Sequence, residues 1–408
     1  MKKFVARQPI FESDKRVFAY ELLFRSSLEN YFASEQPDQA AASVMVDSFL
    51  LFGIKSLTAD RPAFLNFTHN MLTLQYATLL PREKTGIEIL EDVNPDEQVL
   101  AACRVLKESG YLVSLDDFVL RDEPTLLAKF ADIIKVDFSN TAPDMRRRIV
   151  ERFAPAGIKM LAEKVETNEQ LQEALKLGYT YFQGFFFCQP EIVSGKDVPA
   201  IRSNYLSLLQ AINRIEADLQ EIEGVIKREP SLVFKLLRYL NSASFAFTSE
   251  VKSIRHALSL LGIKELRKWA SLVALATMGE DKPAVLVVTA MIRARFCEAL
   301  AQSVGLGRRA PELFLMGLFS VMDAIIERPM GAILQDLPLS IDVKEGLLQG
   351  ANQFGSVYKL VTAYERGDWN RTAGLATSLA LNEASIVEAY VQAVCWAQET
   401  FQLHGQFR

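Results

Sequence analysis

The stretch GYLVSLDDF, residues 110–118, carries the reading of the fold. GYLV is short and apolar, the pattern of a buried strand. Asp116 and Asp117 then stand side by side at its end. Adjacent carboxylates repel unless a cation or a strong set of donors lies between them. Working outward, PAFLNF (62–67), GIEIL (86–90), DIIKVDF (132–138), GIKMLAEKVE (157–166) and YTYFQGFFF (179–187) are also short, apolar and β-prone. Helical candidates lie between them. One is 96–108, with Asn94 as a cap before Pro95. Another is 168–177, between Thr167 and Gly178. This alternation predicts parallel strands covered by helices. Six or more such units within the first 200 residues suit a closed (β/α) barrel better than an open sheet.

The pattern changes after Pro190. EIVSGKDVPA (191–200) combines glycine, proline and charge, as linkers do, and almost no strand follows it. The stretches 205–213, 219–227, 231–240, 254–261 and 264–275 read as amphipathic helices. The expected domains are a barrel over 1–192, a linker at 193–202, an all-α domain over 203–400 and a tail at 401–408. The chain has 408 residues, 50% of them hydrophobic, so no disulfide or structural metal is needed to hold a core. A net charge of -5 predicts no nucleic-acid partner. The richest apolar run, 284–292, is too short for a membrane span. Cys103, Cys188, Cys297 and Cys395 form no C-x-x-C pair, which argues against a zinc site and fits a cytoplasmic setting. The basic run Arg146–Arg148 reads as a solvated helix face.

Polar residues recur at the ends of the apolar runs: Glu21, Asn66, Glu88, Asp116, Asp117, Lys135, Glu163 and Gln183. In a parallel barrel all strand C-termini open on one face. The bland alternative is acids that cap strands toward solvent. Hard oxygen groups converging from several strands suit Mg²⁺ or Mn²⁺. Two such ions close together are suited to phosphodiester cleavage.

These residues resemble the EAL domain, a (β/α) barrel whose active members hydrolyse the bacterial messenger cyclic di-GMP to linear pGpG. The resemblance runs from about residue 4 to 190 through RQPIF, YELLFR, FLNFT, EILE, LDDF, IIKVD, LAEKVET and YFQGFFF, in order. It implies a two-metal site with Glu21, Asn66, Glu88, Asp116 and Asp117 as ligands. Lys135 falls beside the attacking water, and Glu163 on the general base or a second-metal ligand. Gln8, Arg25 and Gln183 fall on substrate-binding positions, and Glu91 and Glu166 on supporting acids. Two departures stand out. The glycine-containing loop after the acidic pair reads FVLRDEPT here, with Val119 where the family has a glycine, and Lys164 replaces the glycine of the A-E-G-V-E motif. In the family that loop links metal binding to dimer formation, so its change bears on the second metal and on an expected homodimer.

The helical half resembles the HDOD domain, a relative of HD-type phosphohydrolases without their metal site, through REPSLVFKLLRYLNSASF and SIRHALSLLGIKELRKWASL. The chain has three histidines, His69, His256 and His404, and none adjoins an aspartate as an HD site requires. His256 and Trp269 read as structural. The expected function is metal-dependent hydrolysis of cyclic di-GMP, with the helical domain regulating it or holding an unidentified protein partner. The alternative is a weak or inactive barrel that binds cyclic di-GMP or a protein.

Overall fold

The computed structural model describes residues 4–25, 57–120, 126–188, 208–214, 218–227, 236, 254–278, 282–337, 339–348 and 350–405. The expected linker at 193–202 and the residues 121–125 lie outside them. Two compact units divide the chain. The first holds Met1–Gln189, Ala363–Ala376 and Asn382–Gln398, and the second holds Pro190–Thr362, Thr377–Leu381 and Glu399–Arg408. This division differs from the single helical domain expected over 203–400. The segments 363–376 and 382–398 pack with the barrel's unit.

Eight strands close a barrel in sequence order. They are β1 (Phe4–Glu12), β2 (Val17–Arg25), β3 (Ala63–Phe67), β4 (Thr85–Ile89), β5 (Leu112–Leu115), β6 (Ile133–Asp137), β7 (Lys159–Glu163) and β8 (Tyr181–Gln183). Strands β2 to β8 are parallel, whereas β1 runs antiparallel to both β2 and β8. Strand β1 precedes the strands read from the sequence, and it runs antiparallel for a simple reason. Only residues 13–16 join β1 to β2, and a parallel crossover needs a dozen or more residues.

Three helices of the barrel's first part show how the local sequence sets the ends. Helix α1 (Glu97–Glu108) is capped by Asp96, whose carboxylate accepts from the Val99 N–H at 2.9 Å. Asp96, not Asn94, is therefore the cap. Helix α2 (Pro143–Phe153) carries Arg146, which is buried and not part of a solvated face. Its guanidinium donates to Glu173 at 2.8 Å and to the Thr141 carbonyl at 2.8 Å. Helix α3 (Asn168–Leu177) starts on a Thr167–Gln170 capping box and stops at Gly178 with φ 91°. Both of its ends are the ones expected.

Inward-facing residues alternate along each strand with period two. Ile10, Ala19, Phe64, Ile133, Leu161 and Tyr181 form one apolar layer across the barrel. Two residues farther along the parallel strands stand Glu21, Asn66, Lys135, Glu163 and Gln183. Residues with apolar neighbours below them are therefore lifted to the C-terminal mouth.

The second unit is helical. Helices α4 (Ile254–Met278), α5 (Ala284–Leu300) and α6 (Ala310–Phe319) are its longest described elements within residues 218–348. Trp269 on α4 is 1% exposed, which makes it core. A Cβ on Gly317 would stand 2.4 Å from the Arg293 backbone, so α5 and α6 meet through a residue that must lack a side chain. The His256 side chain lies outside the described residues. Among the described residues, no helix is long and apolar enough to cross a membrane.

Candidate active site

The register of the barrel assembles the site pair by pair. Gln8 stands opposite Glu21, Asn66 opposite Glu88, and Asp137 opposite Glu163. At the centre is the Lys135 ammonium, 1% exposed. It lies 3.2 Å from Glu21, 3.0 Å from Asp116 and 2.7 Å from Glu163, and it also pairs with Glu88. Four carboxylates thus surround one buried cation. The formal excess of negative charge has to be met by bound protons or by further cations.

Protonation states follow from this crowding. Burial opposes the charge on Lys135, but Glu163, Glu21, Glu88 and Asp116 outweigh it and hold its pKa well above the usual lysine value. Burial pushes Glu88 well above the usual carboxylate value, and the Glu21 charge adds to the rise. Burial also pushes Glu163 up to about 8, against the pull of Lys135. Burial thus favours the protonated form of Glu163 in the metal-free protein, and the Lys135 ammonium at 2.7 Å favours the charged one.

The acidic pair that opens the site is split between two ammonium groups. Asp116 faces Lys135 at 3.0 Å, and Asp117 lies 3.6 Å from the Lys164 ammonium. Burial raises the Asp117 pKa while Lys164 opposes the rise. Val119 has no positive φ, whereas Asp117 has φ 38° and Lys164 φ 54°. Lys164 thus keeps the left-handed conformation that glycine favours at that place. Its ammonium donates to Asp137 at 2.6 Å.

Asp137 is the residue that sequence reading missed. It sits two residues beyond Lys135 on the same strand face, so the period-two pattern contained the signal. It accepts from Ser139 N–H at 2.6 Å, Asn140 Nδ2 at 2.8 Å and Lys164. Burial opposes its ionisation, but Lys164 and Ser139 prevail and hold its pKa down at about 2. A depressed carboxylate adds stability above its unfolded value near 4, and that stability disappears as the pH falls through 2. With half-exposed Lys164 screened by water, Asp137→Asn is expected to destabilise the protein by about 1–2 kcal/mol at pH 6. The loss should vanish near pH 2, and urea titrations of both proteins at the two pH values measure it.

The glutamines form a chain. Gln183 Nε2 donates to Glu21 Oε2 at 2.6 Å and to Gln8 Oε1 at 3.0 Å. Gly184, with φ 145°, follows at once, and a Cβ there would stand 2.1 Å from the Val165 carbonyl oxygen. Only glycine permits β8 to end against that backbone. Gln8, Glu21, Asp116, Asp117, Glu163, Glu166 and Gln183 line one cavity of about 280 Å³. Glu91 is exposed and does not line it. Arg25 ends β2, and its side chain lies outside the described residues.

Among the described residues, no group of three or more His, Cys, Asp or Glu side chains is arranged to hold a metal. The ammonium takes the point where the carboxylates meet. The chemistry nevertheless fits. Asn66 Oδ1, Glu88 Oε2 and Gln183 Oε1 are buried without a hydrogen-bond donor, beside an uncompensated acidic cluster. Hard, orphaned oxygens of this kind suit Mg²⁺ or Mn²⁺.

Comparison with known proteins agrees with the geometry. The EAL domain model matches residues 4–190, and the HDOD domain model matches residues 198–326. The cyclic di-GMP phosphodiesterase CdgJ of Vibrio cholerae is 30% identical over 403 residues, covering 98% of this chain and 93% of that protein. The chain belongs to the EAL–HDOD family. The uncharacterized protein YuxH of Bacillus subtilis is 34% identical over 404 residues, covering 97% of this chain and 98% of that protein. Among solved structures, a manganese and cyclic di-GMP complex of Klebsiella pneumoniae BlrP1 at pH 9.0 is 24% identical with a TM-score of 0.40. That match covers 46% of this chain and 55% of the other.

Proposed function

We propose that the barrel hydrolyses cyclic di-GMP to linear pGpG in a reaction dependent on a divalent metal, Mg²⁺ or Mn²⁺. The observation that carries this reading is the convergence of Glu21, Glu88, Asp116 and Glu163 on a single buried ammonium, with the Asn66 amide oxygen left unpaired beside them. Full-length similarity to a cyclic di-GMP phosphodiesterase supports it.

Glu21, Asn66, Glu88 and Asp116 would hold a first cation, with Asp117 serving a second. A bound cation supplies positive charge that favours hydroxide over water and steadies the departing oxygen. The protein's own groups do the rest. Glu163 accepts a proton from the attacking water. Water oxygen bonds to phosphorus, one P–O3′ bond breaks, the 3′ oxygen takes a proton from solvent water, and Glu163 returns its proton to solvent. Lys135 keeps the carboxylates together and offers a positive charge to the phosphate. Gln8, Gln183 and Arg25 bind the nucleotide.

The HDOD domain regulates this reaction or holds a protein partner. The setting is cytoplasmic, and the barrel is open to homodimer formation. A second reading, a barrel that binds cyclic di-GMP without turning it over, is favoured by one observation: Lys164 already pairs with Asp137 at 2.6 Å and lies 3.6 Å from Asp117. The deciding experiment is incubation with cyclic di-GMP and excess Mn²⁺, followed by chromatography. Appearance of pGpG that a chelator abolishes supports hydrolysis. Binding without product moves the reading to a receptor.

A further inference from the structure

Residues 363–376 lie outside both domain matches, which end at 190 and 326, yet they pack within the barrel's own unit. They include the end of helix α7 (Gln353–Glu365) and the start of helix α8 (Trp369–Ser378). Three contacts fix the turn between these helices to β1 and β2. The Tyr364 hydroxyl donates to the Val5 carbonyl at 3.2 Å. The Arg366 carbonyl accepts from Gln8 Nε2 at 2.9 Å. Gly367, with φ 67°, approaches Leu23 so closely that a Cβ would stand 2.6 Å from Leu23 Cδ1. The turn is closed internally, since Gly367 N–H donates to the Tyr364 carbonyl and Asp368 N–H to the Ala363 carbonyl, both at 3.0 Å.

This turn carries Arg366 onto the wall of the site cavity. The guanidinium carbon lies 5.0 Å from the centroid of the Phe185 ring, another wall residue. A guanidinium resting on an aromatic face is positioned with less loss of freedom than a bare side chain. Five carboxylates line the cavity, and the other cation on its wall, Lys164, is engaged with Asp137. An anionic substrate entering such a cavity needs a cation at the rim.

We propose that Arg366 is a substrate-binding residue of the barrel, supplied by the C-terminal helices, and that its guanidinium takes a phosphate of the cyclic dinucleotide. This rests on the reading of the site as one for cyclic di-GMP. Arginine's planar fork suits a phosphate, with two parallel donors meeting two oxygens. The same turn also orients the site below it. The Arg366 carbonyl holds the Gln8 amide, Gln8 accepts from Gln183, and Gln183 donates to Glu21.

The test uses the full chain as wild type, Arg366→Ala and Arg366→Lys. Steady-state kcat and KM for cyclic di-GMP are measured with Mn²⁺ at low and high salt, and Kd by equilibrium titration. In Arg366→Ala the KM and Kd are expected to rise about tenfold, with kcat within about threefold. Arg366→Lys should recover part of the loss, and the salt dependence of KM should weaken in Arg366→Ala. Arg366 is exposed, so neither variant should disturb folding. Unchanged KM and Kd in Arg366→Ala, with an active or binding wild type, overturn the role of Arg366 and leave the functional reading standing. A loss confined to kcat overturns it too. A wild type that neither binds nor hydrolyses cyclic di-GMP overturns the functional reading, and Arg366's role with it.

Discussion

Replacing Lys135 by methionine is expected to lower the unfolding free energy of the metal-free protein by about 3–5 kcal/mol at pH 7. Methionine fills much of the same volume, so the loss is one of charge and not of packing. Removing the ammonium leaves Glu21, Asp116 and Glu163, each within 3.2 Å of it, and Glu88 without their shared counter-ion. Glu88 is 0% exposed, so water cannot take the place of that partner. The sign of the pH dependence follows from the raised lysine pKa. While the carboxylates stay charged, its contribution is fully present below the unfolded value near 10.5 and disappears only as the pH climbs through the higher folded value. Protonating the carboxylates relieves the variant, so its deficit should shrink toward pH 5. Thermal unfolding in chelator should show a drop of about 5 °C at pH 7. Added Mn²⁺ should restore more of that loss in the variant than it adds to the wild type, because the carboxylates then have a cation again. Equal melting temperatures of the two proteins in chelator would show that the four acids carry their own protons and do not depend on Lys135.

Glu163→Gln carries the largest expected effect on turnover. The amide is nearly isosteric and cannot accept a proton, so kcat should fall by about 10²–10⁴-fold. Binding of cyclic di-GMP should stay within a few-fold of wild type, because the wall formed by Gln8, Gln183 and Arg366 is untouched. The pH profile gives a second readout. In the metal-free protein the Glu163 carboxyl is pushed up to about 8 by burial. A raised acid pKa means that its proton-accepting form grows as the pH rises toward 8. Wild-type kcat/KM should therefore fall about tenfold per pH unit on the acid side, with the limb displaced downward when a bound cation helps to expel the proton. The residual activity of Glu163→Gln should lack that limb. Unchanged turnover in Glu163→Gln would remove this residue from the chemistry.

Much of the barrel was legible from short-range pattern. Every inner strand is a run of apolar residues, and each is followed by a polar residue in the next inward position. Phe64 leads to Asn66, Ile133 to Lys135, Leu161 to Glu163 and Tyr181 to Gln183. That rule needs only the two-residue period of a strand, so the site series could be read without a structure. The same rule reaches Asp137, which is the second polar residue of its run and follows Lys135 by two positions. Helix ends with local signals were legible too, as at Thr167 and Gly178. Asn94 misled because the sequence offers two capping acceptors within three residues, and only the path of the backbone chooses Asp96.

Sequence by itself determined the barrel, the helical second part, the family and the set of acids, because these depend on residue type and spacing along one strand or helix. Tertiary structure alone decided how the acids are paired. Asp116 and Asp117 are neighbours in the chain, yet they answer to Lys135 on β6 and to Lys164 just past the end of β7. The reversed direction of β1, the burial of Arg146 and the arrival of Arg366 at the cavity also came from the fold. Each depends on which distant segments the barrel brings within a few ångströms, and the energy of a buried charge is set by those neighbours and by the exclusion of water, neither of which is written in local sequence.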